Sequence, residues 1–268
     1  MEVKDFIIPY KKASSVFKLY LLGCIHCGTI HCAEEKVKAK VAEIGKDKNA
    51  FWLGMGDLGE FIAEGDKRWD PSLKSIAGWV EQDDIAKTQE DWIAKLLDPI
   101  RKKCVGLLYG NHEEAIRKFL KTNVQKHICE ALQVDNLGYS CFVRFRFERE
   151  NSNERHIVKG CFTHGAGAAI TRGAKINRLE RFMNSFDARI YGHGHVHDII
   201  ESDRPYIYVS EQGKIKQKVD IGVMTGCWFR TYTQGVQASY GEQKAYPPTV
   251  IGCPYITIDP NTDEIKAV

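Results

Sequence analysis

Five short apolar runs, each followed closely by a side chain able to bind a cation or move a proton, constrain this chain more than any other feature. The runs lead into Cys24 and His26, Asp57, Asn111 and His112, His164, and His193 and His195. Apolar runs of this length, alternating with stretches of helical periodicity, read as buried strands of an α/β sheet. Loops at the carboxyl ends of such strands gather in one crevice, so groups far apart in sequence would line a common site.

The spacing predicts strands over 17–25, 50–55 and 105–109, and helices over 33–44, 83–103 and 113–120. In the first of these helices Val37, Val41 and Ile44 recur at helical spacing among lysines and glutamates. Residues 141–147 alternate Phe142, Arg144 and Arg146 with Val143, Phe145 and Phe147, the period of two of a strand with one solvated face. A neighbouring strand is expected over 156–162, then a helix over 174–185 and a strand over 188–191 that runs into Gly192. The tail from Tyr206, rich in Tyr, Gly, Val and Thr and containing Pro247-Pro248, suits strands and turns. With no repeat, low-complexity tract or linker, residues 1–268 are expected to form a single domain.

Composition narrows the reading further. A chain of 268 residues that is 43% hydrophobic buries a core without disulfides or a structural metal, so any metal site needs a functional reason. The net charge of +3 argues for neither nucleic acid nor membrane. The apolar stretch 16–25 contains Lys18 and Gly23, and the opening Met-Glu-Val-Lys-Asp lacks a signal peptide's pattern, so a cytoplasmic protein without membrane contact is expected. Nine scattered cysteines, an odd number, suit buried thiols in a reducing compartment.

Imidazole with carboxylate suits Zn, Fe or Mn, and a carboxylate has two oxygens that can bridge two ions. The sequence reads Cys24-Ile25-His26, Gly56-Asp57-Leu58-Gly59-Glu60, Gly110-Asn111-His112-Glu113, His164, and Gly192-His193-Gly194-His195. In order and content this resembles the calcineurin-like metallophosphoesterase superfamily, with its Asp-x-His, Gly-Asp-x-x-Asp/Glu, Gly-Asn-His-Asp/Glu, later His and Gly-His-x-His. Within it, the phage and prokaryotic branch that includes repair-nuclease-like members is the most similar.

The resemblance implies an α/β four-layer sandwich of two mixed β-sheets flanked by helices, the metallophosphoesterase fold. It implies two divalent transition-metal ions (Mn, Zn or Fe) and hydrolysis of phosphate esters, with a phosphodiester preferred and nucleic acid among the candidate substrates. Carried over residue by residue, it implies that His26, Asp57 and His195 hold one metal, with Cys24 where aspartate is usual. Asp57, as the bridge, would hold the other with Asn111, His164 and His193. His112 matches the histidine that protonates the leaving oxygen, and Glu60 the acid that orients it.

Several residues depart from the pattern. Cys24 is softer than aspartate and cannot offer two oxygens. Glu60 is followed by Phe61-Ile62 instead of the Arg-Gly of the protein phosphatases, which counts against a phosphoprotein substrate. Gly194-His195-Val196-His197 also spells the last motif, but the strand running into Gly192 favours His193 and His195. The single Cys-x-x-Cys pair argues against a zinc ribbon and leaves Cys27, His31 and Cys32 to packing. Arg172, Lys175, Arg178 and Arg181 along one helix, and Asp66-Lys67-Arg68-Trp69 after the second motif, are candidates for substrate contact. A phosphomonoesterase acting on a small nucleotide and a scaffold of the same fold without activity remain the alternatives.

Overall fold

A computed structural model describes residues 1–268. Its first half contains strands β1 (Glu2–Tyr10), β2 (Phe17–Leu22), β3 (Ala50–Met55) and β4 (Cys104–Leu108), with helices α1 (Glu34–Lys46), α2 (Ile85–Leu97), α3 (Asn111–Leu120) and α4 (Val124–Leu132). Then follow β5 (Ser140–Arg149), β6 (Arg155–Thr163), α5 (Arg172–Ser185), β7 (Ile190–His193), β8 (Ile199–Val209) and β9 (Ile215–Thr225). The chain closes with the short α6 (Tyr240–Gln243), β10 (Tyr255–Asp259) and β11 (Glu264–Ala267).

The strands form two mixed sheets. One has five strands in the order β11-β10-β2-β3-β4, with β2, β3 and β4 parallel; the other has six in the order β1-β5-β6-β7-β9-β8, with β6, β7 and β9 parallel. The period of two explains the layering. On β2 and β3, Leu19, Leu21, Phe51, Leu53 and Met55 face the second sheet, meeting Phe145, Phe147, Ile190 and Val223. Tyr20, Leu22 and Trp52 point the other way, against Val37, Ile44, Ile93 and Leu97 of α1 and α2 and Ile128 of α4. Burial on both faces is why these strands read as unbroken apolar runs. On the outer side of the second sheet, Cys161 and Tyr191 pack under Leu179 and Met183 of α5. Helices, sheet, sheet and helix give the expected four layers.

Element ends differ from expectation where local chemistry intervenes. The helix expected over 83–103 stops at Leu97 and tightens into a 3-10 turn over Asp98–Lys103, because Pro99 supplies no N–H and disfavours helical backbone before it. The strand expected over 17–25 ends at Leu22, as the backbone turns left-handed at Cys24 (φ 48°) and His26 (φ 53°). All nine cysteines are free thiols. No helix is long and apolar enough to cross a membrane.

Candidate metal centre

The parallel strands of both sheets end on one edge of the sandwich, and their loops converge there. The loops after β3 and β4 interlock. Glu113, in the first turn of α3, accepts the backbone N–H groups of Asp57 (2.9 Å), Leu58 (2.8 Å) and Gly110 (2.8 Å). A side chain at Gly110 would collide with the Asp57 carboxylate, and one at Gly56 (φ +84°) with the His164 ring. Glycine is therefore required for the close approach at the first position and for approach and backbone angle together at the second.

This arrangement brings Asp57, Asn111, His164 and His195 together. Asp57 is 1% exposed and its Oδ1 accepts the backbone N–H of His112 at 2.9 Å, at the positive N-terminus of α3. Burial alone would push the Asp57 carboxyl up, but His164 and His112 beside it hold it well below the usual carboxylate range. The Nδ1–H of His164 donates to the Met55 carbonyl at 2.7 Å, which leaves its Nε2 facing Asp57 Oδ2 and Asn111 Oδ1, each at 3.2 Å. An imidazole nitrogen and two oxygens thus point at one another. Burial alone would push the His164 pKa down, but Asp57 beside it holds it above its usual range, so the space between them suits a positive charge, a proton on Nε2 or a cation in its place. His195 completes the group, its Asp57, His164 and His195 donor atoms lying within 4.8 Å of one another, and burial pushes its pKa down to about 4. A carboxylate, an amide oxygen and imidazole nitrogens converging in this way fit a divalent cation.

A second cluster lies alongside, in which the donor atoms of Cys24, His26 and His197 are within 4.8 Å of one another. His26 donates its Nδ1–H to Glu60 Oε2 at 2.9 Å, so its Nε2 lone pair faces His197 Nε2 at 3.0 Å. A carboxylate behind a histidine is the arrangement that fixes a metal-binding imidazole in the tautomer with a free outer nitrogen. Burial first, and the negative charge of Asp57 second, push the Cys24 thiol well above its usual range, so a metal there would have to displace the thiol proton. The donor sets of both clusters fit divalent transition metals.

His112 sits between the clusters and the cleft, its ring 4.6 Å from that of His26. Its Nδ1–H donates to the Glu60 carbonyl at 2.5 Å, and its Nε2 accepts from Arg68 Nη1 at 2.7 Å. The Glu60 carboxylate is 3.8 Å from His112, against 2.9 Å from His26.

Of the residues singled out from sequence, the fold brings Cys24, His26, Asp57, Glu60, Asn111, His112, His164 and His195 to one place. His193 is the exception. Alternation along β7 sends Tyr191 and His193 toward α5, and the His193 ring packs 5.9 Å from Phe182 while its Nδ1–H donates to the Gly194 carbonyl. His197, four residues past the end of β7, stands beside His26 instead, so it is His195 and His197 that this loop brings to the crevice. The expected role of Glu60 also changes: its carboxylate orients His26, and only its main-chain carbonyl holds His112. The basic row on α5 is largely engaged elsewhere, with Lys175 bonded to Asp198 at 3.1 Å and Arg178 donating to the Ala166 carbonyl. Cys27 and Cys32 pack into the helix-side core, and His31 lies against Phe229. Arg68, which the sequence offered with its neighbours as a candidate for substrate contact, reaches His112 beside the donors.

Five donor residues have left-handed backbone: Cys24 (φ 48°), His26 (φ 53°), Asp57 (φ 50°), His195 (φ 67°) and His197 (φ 46°). Such angles are uncommon outside glycine and are concentrated at sites where function requires them. The cleft beside the donors has a volume of about 1480 Å³ and extends between the 65–76 and 229–249 loops, with Lys67, Trp69, Lys118, Phe119, Tyr240 and Lys244 in its walls.

No family model matches the chain, and no curated protein sequence does. Among solved structures, the NAD nucleotidase of Haemophilus influenzae is similar to it with 10% sequence identity and a TM-score of 0.40, over 95% of this chain and 49% of that one. The chain spans about half the length of that enzyme.

Proposed function

We propose that this chain hydrolyses phosphate esters at a dinuclear metal centre, with a phosphodiester, nucleic acid among them, as its substrate. The observation that carries the proposal is the convergence of two donor clusters, Asp57, His164 and His195 with Asn111 in one and Cys24, His26 and His197 in the other, with His112 beside them in a group with His26 and Glu60. Asp57, Asn111, His164 and His195 would hold one ion and Cys24, His26 and His197 the other, with Asp57 as the bridge.

Two divalent ions, when bound, would neutralise phosphoryl oxygens and make hydroxide available near neutral pH. The chain's own groups prepare the site. Glu60 and the Met55 carbonyl fix the tautomers of His26 and His164, and the N-terminus of α3 holds Asp57 in place. His112, with Nδ1–H committed to the Glu60 carbonyl, holds a lone pair on Nε2 that accepts from Arg68; with that contact released and a proton taken up from solvent, Nε2 is the atom that would pass it to a leaving oxygen. A cleft of about 1480 Å³ exceeds the roughly 300–1,000 Å³ of small-molecule pockets, and its mixture of lysines and aromatic rings suits a chain of nucleotides, which such sites grip by charge and stacking.

The test is turnover of bis(p-nitrophenyl) phosphate and p-nitrophenyl phosphate by protein loaded with Mn, Zn or Fe, with metal content measured in parallel. Activity abolished by chelator and restored by metal is expected, with the diester favoured. Metal-replete protein inert toward both esters would overturn the proposal.

A further inference from the structure

Arg68 has a geometry that neither the fold nor the metal clusters explain. Its Nε and one Nη2 hydrogen form a fork on the Asp66 carboxylate, at 3.0 and 2.8 Å, and its backbone N–H donates to the same carboxylate at 2.9 Å. Asp66 is 8% exposed, so the fork is held in a largely dry position. Asp66 and Arg68 are two residues apart, and a pair this local ties no distant element of the fold to another.

The end-on edge of the guanidinium is left over. Both hydrogens of Nη1 and one of Nη2 are free of Asp66, one on each terminal nitrogen forming this edge, and Nη1 is 2.7 Å from His112 Nε2. A neutral imidazole nitrogen is a poor resting partner for a cation that lines the cleft, and it satisfies only one of the available hydrogens. The spacing of the two free N–H groups matches two oxygens of a phosphate, the partner for which an end-on guanidinium is best suited.

We propose that Arg68 is a phosphate-binding residue that exchanges its contact with His112 Nε2 for two oxygens of the substrate's phosphoryl group, and that Asp66 aims it. The chain thus supplies from the 65–76 loop the grip that is missing directly after Glu60, where Phe61 and Ile62 stand. For turnover the proposal rests on the phosphoesterase reading; for phosphate binding it stands independently.

The experiment titrates inorganic phosphate into the metal-loaded protein by calorimetry and, in parallel, measures kcat and KM on bis(p-nitrophenyl) phosphate. Arg68→Ala should weaken phosphate binding and raise KM at least about tenfold, the range of a lost charge-assisted pair, with metal content and circular dichroism unchanged. Arg68→Lys, which keeps the charge but not the fork, should recover only part of this. Asp66→Asn should raise KM more than it lowers kcat, since a merely structural role would alter the spectrum and not that ratio. If the alanine variant misfolds, Arg68→Gln carries the test. Phosphate binding equal in wild type and Arg68→Ala, or absent from wild type, overturns the clamp. Wild type that binds phosphate through Arg68 but cleaves neither ester retains the clamp and overturns the phosphoesterase reading. Turnover with KM indifferent to Arg68 does the reverse.

Discussion

Replacing Glu113 by glutamine should loosen the centre without touching a proposed metal ligand. Glu113 is 2% exposed, and as a carboxylate it accepts three buried N–H groups, two on Oε2 and one on Oε1. In Glu113→Gln the carbonyl oxygen can keep the Asp57 and Gly110 bonds, but the Leu58 N–H then faces an amide NH2. Converting the surviving pair from charged to neutral acceptors costs about 1 kcal/mol each, and the orphaned Leu58 donor about 2 kcal/mol. Burial and the charge of Asp57 push the Glu113 carboxyl up, so losing its charge offsets part of this cost. The net expectation is a loss of a few kcal/mol, at most about 4 kcal/mol, read as urea unfolding of metal-free protein at pH 7.5. Glu114→Gln next to it, exposed and outside this network, should stay within about 0.5 kcal/mol of wild type. Because the same carboxylate positions Asp57 and, through Gly110, Asn111, the glutamine variant should also bind metal more weakly. Stability within about 0.5 kcal/mol of wild type would refute the view that Glu113 locks the two loops together.

Four further outcomes are expected. His197→Ala should lose bound metal while His193→Ala retains it, by elemental analysis of the purified variants; the opposite pattern would restore the His193 register. His112→Ala should lower kcat roughly 100-fold or more on esters with poor leaving groups, with less effect on activated aryl esters and no loss of metal; an alanine variant stripped of metal would make His112 a ligand. Cys24→Asp should shift the preferred metal from zinc toward manganese, and X-ray absorption of the zinc-loaded parent should show a sulfur scatterer near roughly 2.3 Å; a zinc spectrum free of sulfur would remove Cys24 from the ligand set. Away from the site, burial pushes the Glu90 carboxyl up against the pull of His127, 2.9 Å away. A raised folded pKa gives stability that is present below the unfolded value and lost as pH rises through the folded one, so Glu90→Gln should gain on wild type as pH rises above about 4.5 in urea unfolding; a difference that stays constant with pH would count against this.

The layers were legible because burial leaves a periodic trace. Residues 50–55 were read as a strand with correct ends, since Phe51, Leu53 and Met55 face one layer and Ala50 and Trp52 the other. β1 left no such trace: its partner β5 lies about 140 residues away, its outer positions are exposed, and Pro9 interrupts the pattern. α4 was missed as well, because its nine residues follow α3 too closely to show a separate period. For the candidate site, residue types and order pointed to Asp57, Asn111, His112 and His164, and loops that follow directly from strands bring these four to one crevice. His193 misled because being next to a strand end was taken to mean facing the crevice. β7 extends to His193 itself, so that residue still obeys the alternation of the strand and turns its ring to α5.

The backbone at the donors carries a different kind of information, invisible to periodicity. Lys121 and Gln133, also at positive φ, are ordinary helix C-caps, where a left-handed residue satisfies the last carbonyls of a helix. Cys24, His26, Asp57, His195 and His197 cap no helix, and each such residue costs of order 1 kcal/mol or more. Glycine at those positions would remove the strain and with it the ligand atom. The strain therefore persists only if something else favours these side chains where they are, and within the chain Glu113, Glu60 and the N-terminus of α3 supply part of it through the bonds they make. A metal that binds the folded centre adds its binding free energy to folding. In this reading the left-handed donors are where the chain exchanges local stability for a centre that cations complete. Of the adjoining glycines, Gly23 and Gly56 have no room for a side chain against Met55 and the His164 ring, while Gly194 sits tightly against the His164 and Met55 carbonyls.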